Sequence, residues 1–204
     1  MMSRIFFLPF FALCLCACSV LPLRSEGGPG MARFDLGVPE AQSMTRPWRL
    51  EIRAAGWGAE TTMRYRLLYA NPAQVMVYAR SRWAASPAEV LAQRLEGLLY
   101  WTPENPADAC TLQLELRRFE QVFATPEQSH GELSVVAALR REGKRMDERI
   151  FRLEAPARTP DAAGGVAALV QASDQLALAL RHWRQATSAC FNSGSAEMTG
   201  TLRP

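Results

Sequence analysis

One apolar run near the N-terminus narrows what this chain can become more than any other feature. Ile5 to Leu15 is almost wholly apolar and follows Met1-Met2-Ser3-Arg4, which carries one positive charge. Eleven residues wound as a helix reach about 16 Å, roughly half of a bilayer's hydrocarbon core. The run therefore reads as an export signal and not as a span. No other uninterrupted stretch is as apolar, so the rest of the chain is expected to cross the membrane and fold outside the cytoplasm.

The run closes with Leu15-Cys16-Ala17-Cys18-Ser19. This pattern resembles a bacterial lipobox, with a branched apolar residue, two small residues and then a cysteine whose sulfur takes a diacylglycerol. Residues 1–17 are read as the lipoprotein signal peptide and Cys18 as the lipidated residue. The competing reading is an ordinary signal peptide with incidental cysteines. Two or more acyl chains hold a protein on a bilayer, since each buried methylene contributes about 0.8 kcal/mol. Ser19 follows the cysteine where an inner-membrane lipoprotein would commonly carry aspartate, which favours the outer membrane. Residues 18–32 form the lipidated cysteine and a linker rich in glycine and proline. The fourteen residues after Cys18 span at most about 50 Å extended and about 20 Å if flexible.

The folded body is expected over residues 33–190, with a polar, disordered tail over 191–204. Arg33 to Gly37 and Trp48 to Ala54 read as short strands. Met63 to Tyr69 and Gln74 to Arg80 flank Ala70-Asn71-Pro72-Ala73, a hairpin pattern. Ser86-Pro87-Ala88-Glu89 is a helix start with N-cap, first-turn proline and capping box. Val90, Leu91, Leu95, Leu98 and Leu99 follow at helical spacing, to an end near Trp101-Thr102-Pro103. Cys110 to Phe123 reads as a long strand in which Leu112, Leu114 and Leu116 share one parity, whereas Phe119 and Phe123 share the other. A bulge near Arg117-Arg118 would bring the aromatics back to the leucine face. Leu133 to Arg140 and Glu148 to Glu154 make two more strands around Glu142-Gly143-Lys144. Thr159-Pro160-Asp161 starts a helix to about Ala186, with Val166, Leu169, Val170, Leu176, Leu180 and Trp183 as its apolar stripe. The fold class is α+β, an antiparallel-rich mixed β-sheet with two main helices packed on one face.

Residues able to carry chemistry are sparse. His130 and His182 are the only histidines, and no nucleophile elbow, Walker loop, zinc-protease motif or dinucleotide-binding motif occurs. Gly164-Gly165 before a helix is weak evidence for phosphate binding. No catalytic residue, metal ligand or cofactor is expected, apart from the covalent diacylglycerol and N-acyl chain on Cys18. A net charge of +3 without a Lys/Arg block argues against nucleic acid. After signal removal Cys110 and Cys190 remain, and an oxidising periplasm makes a disulfide between them the default, with two buried free thiols as the alternative. Trp57 stands in a glycine-flanked loop, Ala55-Gly56-Trp57-Gly58, that suits an exposed contact, where the stronger alternative is ordinary packing of a large aromatic. Tyr78, Arg80, Arg82 and Trp83 mark a second candidate contact at a strand end, where the alternative is a strand running into a helix cap with solvated arginines.

Several segments carry a family resemblance. They are the lipobox, Phe34-Asp35-Leu36-Gly37, Met63-Arg64-Tyr65-Arg66-Leu67, Tyr78-Ala79-Arg80-Ser81-Arg82-Trp83-Ala84, Phe119-Glu120-Gln121-Val122-Phe123 and the alanine-rich last helix with His182-Trp183. In this order and spacing they resemble the ABC-type transport auxiliary lipoproteins. The resemblance implies a non-enzymatic, outer-membrane-anchored periplasmic lipoprotein. It implies an MCE-domain protein and an ABC permease/ATPase as partners, with phospholipids or other hydrophobic molecules as cargo. Relatives can assemble into rings, so a homo-oligomer is compatible with it. The competing function is a lipoprotein that itself holds a lipid in a groove. Replacing the anchoring thiol, Cys18→Ala, is expected to move the protein from the membrane pellet to the soluble fraction on ultracentrifugation, and persistence in the pellet would refute the anchor.

Overall fold

A computed structural model describes residues 30–37, 39, 49–99 and 110–187. The signal peptide, most of the linker, Trp48, Trp101, Cys190 and the C-terminal tail lie outside the described residues. Among the described residues seven strands and two helices follow in the order β1 (Ala32–Phe34), β2 (Leu50–Ala54), β3 (Thr62–Leu67), β4 (Met76–Trp83), α1 (Pro87–Leu98), β5 (Thr111–Phe123), β6 (Ser129–Arg141), β7 (Lys144–Pro156) and α2 (Ala162–Ala186). A 3-10 turn, Gly56–Ala59, separates β2 from β3. The strands form one mixed sheet in the order β1-β4-β3-β5-β6-β7, with β2 also paired to β5.

The central strand shows how sequence dictates this arrangement. β5 pairs antiparallel with β6 along its whole length, and the register shifts by one residue between Leu116 and Arg118. The extra residue is Arg117, which is exposed. Because side chains alternate, one inserted residue moves everything after it to the other face. Leu112, Leu114 and Leu116 therefore share a face with Phe119 and Phe123, and all five are buried. The bulge expected from the parity clash is the one found.

On the other edge of β5, β2 runs parallel along Leu112 to Leu116 and β3 runs parallel along Gln121 to Phe123. From Leu50 to Tyr65 the chain advances fifteen residues, whereas from their partners Leu112 to Gln121 it advances nine. The surplus six residues are taken up around the 3-10 turn. Two short strands thus act as one interrupted strand. β6 and β7 form a long hairpin through Glu142 and Gly143, whose φ values are 49° and 79°. Both strands are longer than the alternation suggested, since β6 begins at Ser129 and β7 runs from Lys144 to Pro156. β1 is shorter, ending at Phe34, where Gly37 turns the chain with φ 66°.

Both helices lie on the same face. The capping box at α1 is formed, with the Glu89 N–H donating to Ser86 Oγ at 3.3 Å and the Ser86 N–H donating to the Glu89 carboxylate at 2.9 Å. This bonding holds the Glu89 carboxyl below its ordinary range. The helix ends at Leu98, earlier than its apolar spacing implied. Asp161 caps α2, its carboxylate accepting from the Gly164 N–H at 2.8 Å. Leu169, Leu176, Leu180 and Trp183 of α2 are buried against the sheet, as the stripe required. Arg94 of α1 binds Asp174 of α2 through two parallel bonds of 2.8 and 2.9 Å and donates to the Leu36 carbonyl at 2.5 Å. One guanidinium thereby joins α1, α2 and the chain leaving β1.

Gly165 is set by packing. A Cβ there would overlap the side chain of Gln121 on β5, while one at Gly164 would overlap Thr159. The glycine pair lets the first turn of α2 lie directly on the sheet, and needs no phosphate to explain it. Gly165→Ala is expected to destabilise the fold by about 1–3 kcal/mol, read as a lower midpoint in urea denaturation. Gly56→Ala, where a Cβ would meet nothing within 4 Å, serves as the neutral control.

Candidate functional site

The residues singled out from sequence fall into different environments. Trp83 is 1% exposed and packs on Phe119 with ring centroids 5.1 Å apart. It lies in the core at the end of β4, so the expectation that it contacts a partner is corrected. Tyr78 and Trp83 have opposite parity along β4, and the register shift against β3 between them brings both inward, so that Trp83 closes the sheet just before α1. Tyr78 is half-buried and donates from its hydroxyl to Gln121 Oε1 at 2.8 Å, while Gln121 Nε2 donates to Ser129 Oγ at 2.8 Å. Burial first, then Tyr65 and Asp161 nearby, push the Tyr78 phenol well above its ordinary value. Its hydroxyl stays protonated and structural. Arg82 turns back along its own strand, donating to the carbonyls of Tyr78 and Ser81. Arg80 is exposed.

Trp57 is half-buried against the edge of the hydrophobic core, with the Arg64 guanidinium 4.7 Å from its ring centroid. Of the glycines beside it only Gly58 answers to packing, since a Cβ there would overlap that of Ala54. Cys110 is 5% exposed just before β5. Its expected partner Cys190 lies outside the described residues, as does Cys18, so the disulfide and the lipidation stand as proposals.

The surface that the strand and helix patterns did not single out is the sheet face opposite α1 and α2. Its centre is made of small side chains, buried Ser134 and Ala138 and half-buried Val136 of β6, and beside them Ile150 of β7 is 58% exposed. Charges of both signs surround this centre. Arg53, Glu115, Arg140 and Glu148 line a shallow groove of about 390 Å³ with Val136 and Ala138. Arg117, Arg118, Glu132 and Arg152 line an adjoining one of about 480 Å³ with Ser134, Val136 and Ile150. Toward one end, Glu120 is 4% exposed and receives Arg66 at 3.1 Å, and Arg118 bridges to Glu132 at 3.0 Å. One sequence signal did mark this face. Leu133 to Leu139 reads Leu-Ser-Val-Val-Ala-Ala-Leu, an apolar run without the alternation of a strand open to water on one side.

Among the described residues no group of three or more His, Cys, Asp or Glu is placed to hold a metal ion. His130 lies 3.9 Å from Glu154 on the exposed end of the β6–β7 ladder, and His182 is exposed on α2. An apolar centre with a charged rim is the anatomy of a surface that meets another protein. The described residues make a two-layer α+β domain, helices on one face of the sheet and a charge-rimmed surface on the other.

The chain belongs to the ABC-type transport auxiliary lipoprotein components, whose family pattern it matches over residues 59–180. Among solved structures it is similar to protein XCC0632 from Xanthomonas campestris, at 20% identity and a TM-score of 0.60, over 77% of this chain and 96% of that one. It is also similar to a protein described as uncharacterized, at 13% identity and a TM-score of 0.58, over 76% of this chain and 99% of that one. Both likenesses speak to the fold. No curated protein matches the chain.

The contrast between Trp83 and Arg80 can be measured directly. Trp83→Ala is expected to cost about 3–5 kcal/mol, whereas Arg80→Ala should leave the denaturation midpoint within experimental error of the parent.

Proposed function

We propose that this protein is the outer-membrane-anchored auxiliary lipoprotein of an ABC transport system that carries phospholipids or other hydrophobic molecules across the envelope with an MCE-domain partner. The observation that carries the reading is the family match, which spans more than half of the chain and reaches from the 3-10 turn to the last turns of α2. Cys18 bears the diacylglycerol and N-acyl chain, and Ser19 after it favours the outer membrane. Cys110 and Cys190 form a disulfide that closes the core strand to the C-terminal segment. The protein performs no bond-making of its own.

The physical logic of such a component is local concentration. Hydrophobic cargo should not cross water, because each exposed methylene costs about 0.8 kcal/mol. A module held at one membrane can keep a cargo-carrying partner docked there, since tethering raises effective concentration without new contacts. The open sheet face supports a docking role better than a lipid-holding one. Its grooves are shallow and lined by arginines and glutamates, a setting unsuited to acyl chains.

Placing a photo-crosslinking amino acid at Val136 in living cells tests the reading. The expected product is a single adduct whose partner is identified by mass spectrometry as an MCE-domain protein. Adducts to unrelated envelope proteins, or none at Val136 while an Ala167 control on the helical face gives the MCE adduct, would count against it.

A further inference from the structure

The β3–β4 hairpin carries an exposed apolar tip that the open-face reading does not use. Among the described residues eight large hydrophobic side chains stand out in solvent, and four of them are Leu68, Tyr69, Val75 and Val77 at this one tip. The surrounding sequence has no charge from Leu67 to Ala79, in a chain whose residues are 21% charged. Thirteen consecutive uncharged residues on an exposed hairpin are not what solubility in water selects.

The tip also holds its own backbone. The N–H groups of Ala70 and Asn71 donate to the Leu67 carbonyl at 3.2 and 3.0 Å, and that of Gln74 donates to the Asn71 carbonyl at 3.1 Å. Ala73 donates its N–H to Asn71 Oδ1 at 3.0 Å, and Leu68 donates to the Phe123 carbonyl at 2.9 Å. Arg66, paired with Glu120, donates to the Pro72 carbonyl at 2.7 Å. Entering an apolar medium is costly chiefly for unsatisfied polar groups. Here most of that cost is already met internally.

The direction of β1 says what the tip faces. β1 pairs parallel with β4, Ala32 beside Ser81 and Phe34 beside Trp83. Since β4 runs away from the tip, so does β1, and the chain before it arrives from the tip end. Extending the register puts Met31 beside Arg80, and from there back to Met76 is about 13 Å along the strand. Met31 is itself 51% exposed. The thirteen residues from Cys18 to Met31 reach about 45 Å at full stretch, so an anchored chain brings the tip to the bilayer without strain.

We propose that the β3–β4 hairpin tip is a membrane-contact surface, its Leu68, Tyr69, Val75 and Val77 side chains seated at the headgroup boundary of the bilayer that holds the anchor. This rests on the anchor at Cys18. Tyrosine suits that boundary because its ring is apolar and its hydroxyl polar. Glu127, Arg158 and Asp161, on neighbouring connections at the same end of the sheet, carry two negative charges and one positive, so insertion would be confined to the hairpin.

The full lipidated chain is reconstituted into vesicles of phosphatidylethanolamine and phosphatidylglycerol doped with brominated phosphatidylcholine. Two variants each add one tryptophan to the same background, Tyr69→Trp at the tip and Met146→Trp near the opposite end of the sheet. The added emission of Tyr69→Trp is expected to be quenched at least twofold more than that of Met146→Trp. Equal quenching, in chains that float with the vesicles, would overturn the tip contact and leave the anchor standing. Failure to float would overturn the anchor and the proposal with it. Shielding of the tip tryptophan only when a partner protein is added, and never by lipid, would assign the patch to that protein instead.

Discussion

Everything in this molecule is aligned to β5, and β5 works only because of one extra residue. Arg117 bulges out, and the face that begins with Leu112, Leu114 and Leu116 continues through Phe119, Gln121 and Phe123. Without the bulge, the aromatic half of the strand would point away from the helices. Leu133, Val135, Ala137 and Leu139 of β6 would then face a broken surface. The bulge also raises local twist, and it falls opposite the stretch where β2 has ended and β3 has not begun. Irregularity on the two sides of the same strand is concentrated at one level of the sheet.

From that strand the division of labour follows. One face is covered by α1 and α2, joined by Arg94 to each other and to the chain after β1. Their far end is fixed through Asp147 of β7, whose carboxylate accepts the Trp183 indole N–H at 2.7 Å and the Thr187 hydroxyl at 3.3 Å. The bond from Trp183 contributes most to holding that carboxyl below its ordinary range. Among the described residues the opposite face carries no helix, and its centre of small side chains lies within a rim of both charges. This asymmetry suits the proposed docking role, in which the covered side would give stability and the other side contact.

Much of the fold was legible because the decisive signals are local. Ser86, Pro87 and Glu89 name a helix start by chemistry alone, and the parity clash between Leu116 and Phe119 names a bulge. Strand lengths were less legible. β7 alternates weakly at its start, where Lys144, Arg145 and Met146 are all exposed; Lys144 and Arg145 are strand because they pair with β6, and Met146 is the extra residue at a register shift. The site was harder still. Trp83 was marked as a contact together with the strand end it closes, yet the register shift between β3 and β4 turns it inward against the parity of exposed Val77, and Arg82 donates to carbonyls of its own strand. The open face is made of residues far apart in sequence, and only the ladder of β2, β5, β6 and β7 brings Arg53, Glu115, Val136 and Glu148 together.

The parallel pairing of β1 with β4 has a mechanical side. Its three paired residues are backed by the Ala84 N–H bonding the Phe34 carbonyl at 2.7 Å and by Arg94 on Leu36. A pull on the N-terminal segment toward the hairpin end runs along the axis of β1. Force in that direction loads its bonds in shear, all at once, where a sideways pull would peel them singly. Were the body moored at Cys18 as proposed, tension on it would load the β1–β4 pairing in shear.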